Sequence, residues 1–158
     1  MRLYIKQDKS IENQLFIVYD ELCNEKYFIK GNKDKLYLVD LSGETLLRIR
    51  RIFLPTLKAF SITAQKQNIK FIMNNSTKYS NCYFYGVGWR VRGNVFIKSF
   101  DIIDADNSLI ATHIKRFSPC GDGYELNVIN ESKELFSIAT AICVNLEAKV
   151  DNPRMQTV

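Results

Sequence analysis

The sequence holds a single histidine, His113, and its four cysteines (Cys23, Cys82, Cys120 and Cys143) include no Cys-x-x-Cys pair. No Cys/His cluster with ligand spacing can be assembled from them, so neither a metal nor another cofactor is expected. Cys143 lies inside an apolar run, where a thiol packs as a small hydrophobe. With the other three scattered, the expectation is free thiols in a reducing, cytoplasmic setting. No unbroken apolar stretch approaches the ~20 residues of a membrane span. The opening Met1-Arg-Leu-Tyr-Ile-Lys6 meets a charge before any leader-like apolar run develops.

The most informative absence is of one charge sign. Between Glu44 and Asp101 there is no acidic residue. The same window holds ten of the 22 bases: Arg48, Arg50, Arg51, Lys58, Lys66, Lys70, Lys78, Arg90, Arg92 and Lys98. Outside it the 17 acids outnumber the remaining twelve bases, although the net charge is only +5. Segregation of this kind creates a field that attracts an anionic partner. The 158 residues suffice for one domain with a real core. An apolar fraction of 46% and a charged fraction of 25% are those of an ordinary soluble protein.

Up to Ile129 the chain reads as short strands rich in aromatic and β-branched residues, with a turn signal every ~8–12 residues. The expected strands are Arg2–Lys6, Gln14–Asp20, Lys26–Lys30, Lys35–Asp40, Glu44–Ile52, Ala59–Ala64, Ile69–Met73, Tyr79–Tyr85, Trp89–Arg92, Ile97–Ile103, Leu109–Arg116 and Tyr124–Ile129. An internal repeat accompanies them. A shift of 64 residues aligns Leu38-Val39-Asp40 with Ile102-Ile103-Asp104, and Leu46 with Ile110. It also places Arg51 on Lys115, Phe53 on Phe117, Pro55 on Pro119, Phe60 on Tyr124 and Ile62 on Leu126. Each copy reads strand, Asp-led turn, strand, a basic-aromatic-Pro corner, and a further strand. Two such units closing on each other would leave no exposed sheet edge.

One long segment breaks the β pattern. Ser132–Glu147 is expected to be a helix, with Ser132 as N-cap and Glu134 in the first turn, where the helix dipole favours an acid. Its apolar side chains run nearly all round the circumference, so it must be surrounded. At ~1.5 Å per residue it is roughly 24 Å long, and Ser137, Thr140 and Asn145 interrupt it. The expectation is a core helix wrapped by the strands. A helix filling the lumen leaves no room there for an apolar ligand. The domain therefore spans residues 1–150, and the tail 151–158, with Pro153 and few apolar residues, is expected to fray.

The opening Met1-Arg-Leu-Tyr-Ile-Lys-Gln7, the repeated Asp-turn hairpins, Gly88-Trp-Arg-Val-Arg-Gly93 followed by Phe100-Asp-Ile102, and Tyr124-Glu-Leu126 before an apolar helix resemble the LURP-one-related family. That family belongs with the tubby C-terminal-like and phospholipid-scramblase-like folds. The resemblance covers Met1 to about Val150 and implies a mainly β fold: a twelve-stranded closed barrel threaded by a hydrophobic C-terminal helix. Tubby-like relatives bind phosphoinositide headgroups through basic side chains on the barrel, and scramblase-like relatives act at membranes. The sequence shows no membrane-spanning tail, Pro-rich leader or cysteine cluster of the scramblase kind. Lipid transport is therefore not carried over, and no lipid-site residue transfers one-to-one.

The basic window carries the functional expectation. Arg48 and Arg50 share one face of their strand by the two-residue period, as do Arg90 and Arg92 of theirs. Arginine forks suit phosphate oxygens. The candidate headgroup-binding set is Arg48, Arg50, Arg51, Lys66, Lys70, Arg90 and Arg92. The alternative is a solvated outer face on a protein–protein interaction or structural module with no lipid role. Single-stranded nucleic acid would use Tyr79, Tyr83, Phe84, Tyr85 and Trp89 as stacking platforms, but barrel strands bury such aromatics in any case, which disfavours it. The glycines of Gly86–Gly93 form no phosphate loop, because no helix follows them. His113 and Cys120 could serve as a Cys–His nucleophile only within hydrogen-bond reach of each other. The repeat instead puts His113 on Ile49, an apolar-faced strand position. The expected protein is non-enzymatic, cytoplasmic and peripheral at the inner membrane face, its partner an anionic phospholipid surface or else another protein.

Overall fold

Alternation decides the orientation of the central strands. In Thr45–Phe53 the buried Leu47 and Ile49 alternate with the exposed Arg48 and Arg50. In Gln67–Asn74 the buried Ile69, Phe71 and Met73 alternate with an exposed Lys70. Strands patterned in this way must close their apolar faces on something. The computed structural model, which describes residues 1–8, 14–74 and 81–147, shows that they close on themselves and on one helix. The strands are β1 (Arg2–Gln7), β2 (Gln14–Tyr19), β3 (Glu25–Gly31), β4 (Lys35–Val39), β5 (Thr45–Phe53) and β6 (Lys58–Ala64). They continue with β7 (Gln67–Asn74), β8 (Asn81–Tyr85), β9 (Arg90–Asn94), β10 (Ser99–Ile103), β11 (Leu109–Ser118) and β12 (Gly121–Val128). Each pairs antiparallel with its neighbour in sequence, and β1 pairs with β12, Leu3 opposite Leu126, to seal the barrel. The seam between β8 and β9 is the thinnest, with Tyr83 opposite Arg90 as its one ladder pair. Tyr79, expected at the start of a strand, the base Lys78 and the tail lie outside the described residues.

The repeat is a structural one. Moving β4 by 64 residues gives the bounds of β10, and the same shift carries β5 and β6 onto β11 and β12 to within one residue. Even the irregularities recur: the register slips between Leu38 and Val39 and again between Ile102 and Ile103. In the Asp-led turns, Gly43 N–H donates to Asp40 O at 3.0 Å and Asn107 N–H to Asp104 O at 2.9 Å. Gly43 (φ 89°) and Asn107 (φ 69°) fill the left-handed position that this turn requires. The β2–β3 turn is a third copy, with Asp20 accepting from the N–H of Cys23, whose φ is 62°.

That turn also corrects an expectation. Cys23 and Cys120 are not free thiols; they form a disulfide with Cα atoms 5.3 Å apart. It ties the β2–β3 turn to the β11–β12 hairpin across 97 residues. Spacing could not show this, because the two turns meet only once the barrel is closed. Cys82 and Cys143 take no part in a disulfide, and burial pushes the Cys82 thiol up to about 12.

The helix α1 (Glu134–Glu147) follows a 3₁₀ turn, Glu131–Lys133. Ser132 therefore does not cap α1. It sits inside the 3₁₀ turn, where its N–H and hydroxyl both donate to Asn130 Oδ1, at 3.2 and 2.7 Å. Glu134 does occupy the first turn of α1, and there it accepts from Lys26 Nζ (2.7 Å) and Tyr27 OH (3.0 Å). Burial, then the Glu134 carboxylate, holds the Tyr27 phenol above its usual range. Residues Phe136 to Asn145 are all buried, and the apolar ones join the inward strand faces in a single core. Two of the polar interruptions satisfy themselves: Ser137 Oγ donates to Lys133 O at 2.7 Å, and Thr140 Oγ1 to Phe136 O at 2.8 Å.

Candidate anion-binding face

Register gathers the bases of the central strands into rows on the outer wall. Lys35 stands opposite Arg50, Arg50 opposite Ser61, Ser61 opposite Lys70, and Lys70 opposite Tyr85. With strands about 4.8 Å apart, the cations Lys35, Arg50 and Lys70 span roughly 14 Å. The adjacent row runs Tyr37, Arg48, Thr63, Asn68. Asn68 Nδ2 donates to Ser61 Oγ (2.7 Å) and Thr63 Oγ1 (2.8 Å). Each hydroxyl oxygen is thus already accepting, and its own proton is left to donate outward. The two-residue turn Gln65–Lys66 joins β6 to β7 with φ 48° and 68°, the left-handed pair a tight hairpin uses, and Lys66 is exposed there. No ion pair among the described residues joins Arg48, Arg50, Lys66 or Lys70 to an acid.

The other candidates lie elsewhere. Arg51 belongs to the opposite face of β5 from Arg48 and Arg50. Its guanidinium carbon lies 5.2 Å from the Phe60 ring centroid, its Nε is 3.4 Å from Asp34 Oδ1, and its side chain is only 14% exposed. Arg90 and Arg92 project from β9, four strands round the wall from β5. There Arg90 donates to Asn107 Oδ1, and Arg92 pairs with Asp101 at 3.0 Å. Lys98, another base of the window, is buried with Nζ 2.8 Å from Tyr124 OH. The seven candidates thus divide into an outer face (Arg48, Arg50, Lys70, with Lys66 at its turn), an inward-facing Arg51, and a separate pair on β9. Lys35 completes the row but falls outside the acid-free window. The β4–β5 hairpin, read outward from its Asp40 turn, was the signal that could have found it.

Arg51 instead helps line a groove of ≈ 520 Å³ with Lys33, Asp34, Phe53, Leu54, Lys58 and Leu146. Phe53 and Leu54 are exposed at its edge. The aromatic run also divides by alternation. Phe84 and Trp89 pack inward, ring centroids 5.7 Å apart, whereas Tyr83 and Tyr85 point out and are exposed beside Arg90 and Lys70. Core packing accounts for the first two only.

His113 is a core residue. Its ring lies between those of Phe100 (4.7 Å) and Tyr124 (5.3 Å). Nδ1 is 2.8 Å from Lys98 O, so it carries the proton and donates, and Nε2 accepts from Asn145 Nδ2 at 3.4 Å. Burial lowers its pKa to about 4. Because the Cys120 sulfur is bonded to Cys23, His113 and Cys120 form no nucleophilic pair.

Twelve antiparallel strands closed around an apolar C-terminal helix define a barrel whose lumen is filled by its own chain. The chain belongs to the LURP-one-related family, whose model matches residues 1–145. Its fold is similar to the X-ray structure of a protein from Arabidopsis thaliana, with a TM-score of 0.56 and 15% identity over 92% of this chain and 90% of that one. No curated protein matches.

Proposed function

We propose that the domain is a non-enzymatic adaptor that binds anionic phospholipid headgroups at the cytoplasmic membrane face, through the outer wall of β4 to β7. The observation that carries this reading is the row of Lys35, Arg50 and Lys70, flanked by Arg48, with no acid paired to the arginines or to Lys70 among the described residues. Clustered bases near an anionic membrane contribute about 1 kcal/mol each, so the affinity comes from their number and is sensitive to salt. The outward hydroxyl protons of Ser61 and Thr63 add neutral donors between the cations. The test is co-sedimentation with liposomes of graded anionic content. Bound protein should rise with anionic fraction and fall between low and physiological salt. No binding at low salt would leave a protein partner as the reading to pursue. Equal competition by single-stranded DNA would identify a site for polyanions at large.

A further inference from the structure

Charge alone would hold the barrel against a membrane without orienting it. The β5–β6 corner supplies an apolar element. Phe53 is 75% exposed and Leu54 42% exposed, immediately before Pro55. Lys58 stands opposite Phe53 in the ladder, and Lys33 lines the same groove from the β3–β4 connection, with Asp34 beside it. Large apolar side chains held in water and rimmed by bases match a surface that is anionic outside and apolar beneath.

The second half of the repeat provides a contrast. Phe117, the counterpart of Phe53, is 81% exposed. In the ladder it faces Asp122 where Phe53 faces a lysine. Both corners expose a phenylalanine, and the ladder sets a cation opposite only the first. An aqueous polyanion has nothing to offer Phe53 and Leu54, whereas a bilayer of anionic phospholipid contacts both the bases and the apolar pair.

We infer that the β5–β6 corner is the edge that enters the bilayer, with Phe53 and Leu54 at the headgroup–acyl boundary and Lys33 and Lys58 against the phosphates. Long basic side chains can lay their methylenes along the apolar layer while their charges stay at its surface. The inference rests on the headgroup-binding reading and adds its orientation.

Vesicles of phosphatidylcholine with and without phosphatidylserine test it. Four proteins are compared: the wild type, Phe53→Ser/Leu54→Ser, Phe117→Ser and Phe53→Trp. The wild type should bind the phosphatidylserine vesicles. The double variant should bind roughly tenfold or more weakly, its residual binding still abolished by salt, and Phe117→Ser should stay within about twofold of wild type. Emission from Phe53→Trp should shift to the blue and be quenched by brominated acyl chains, measured against the buried Trp89 background. A wild type that ignores phosphatidylserine at low salt overturns the headgroup reading and this inference together. Wild-type binding that the double variant retains in full, with no quenching of Phe53→Trp, overturns the insertion alone.

Discussion

His113 shows what a single buried polar side chain imposes on this barrel. Its Nδ1–H is committed to Lys98 O and its Nε2 to the amide of Asn145, so the neutral ring joins β11 to the helix. Asn145 Oδ1 is left as the one buried side-chain oxygen with no partner among the described residues. Protonating the ring would set a second N–H against the Asn145 amide nitrogen, in a site too buried to solvate the charge. Burial accordingly takes the pKa from 6.5 to about 4. An unfolded chain binds this proton at ordinary histidine pH and the folded chain does not. The stabilisation is therefore complete above pH ~6.5 and is lost as pH falls towards ~4, by up to about 3 kcal/mol. Asp40 and Asp106, held below their usual range first by the hydroxyls of Ser42 and Ser108, act in a lower window. Urea midpoints at pH 7, 5.5 and 4 should fall steeply in the wild type. In His113→Phe the midpoint should be lower at pH 7, because Lys98 O and Asn145 lose a partner, and the slope between pH 6.5 and 4 should flatten. An unchanged slope would place the acid sensitivity in another group.

At the scale of elements, the turns carry what the strands do not. Cys23 accepts a left-handed backbone where the matching turns place Gly43 and Asn107, and its sulfur is bonded to Cys120. Disulfides are rare in reducing compartments, so this bond is the feature that opposes the cytoplasmic reading, and a thiol count decides it. Native protein should resist alkylation, since Cys143 is buried and burial raises the Cys82 thiol. Denatured protein should label at two cysteines without reductant and at four with it. Four without reductant would mean the bond is absent from the isolated protein. The strands were legible in the sequence because alternation over apolar and basic residues is a local signal. Leu47, Arg48, Ile49 and Arg50 state their own faces, and the Asp-led turns mark the ends. The helix was legible because apolar residues surround it. What remained hidden depends on chain segments far apart: the Cys23–Cys120 pairing, and the meeting of α1 with Lys26 and Tyr27. Ser132 was misplaced by a single turn, since Asn130 offered an equally good cap.

For the whole molecule the question is whether the acid-free window acts as a field or as a face. Sequence could show only that the bases are segregated. The fold disperses them, leaving Arg48, Arg50 and Lys70 together, turning Arg51 towards Phe60, and giving Arg92 the Asp101 carboxylate. Along the wall β5 lies four strand spacings from β9, roughly 19 Å, more than twice the ~8 Å Debye length at physiological salt. A membrane held by the β4–β7 wall should therefore scarcely sense β9. Two double variants separate the alternatives at equal net charge. Each reversal subtracts two charges, so Arg48→Glu/Arg50→Glu and Arg90→Glu/Arg92→Glu both bring the formal charge from +5 to +1. Losing two bases at about 1 kcal/mol each predicts liposome binding weaker by at least about thirtyfold for the first variant, because the two added carboxylates also repel the anionic surface. The second should weaken binding by about threefold or less, while lowering stability by up to about 1 kcal/mol through the lost Asp101 partner, most of it screened because the Arg92 side chain is 70% exposed. Co-sedimentation at physiological salt and thermal melts read the two effects separately. Equal losses of binding would mean that the overall field recruits the protein, and that the alignment of Arg48 and Arg50 with Lys70 contributes nothing beyond its charge.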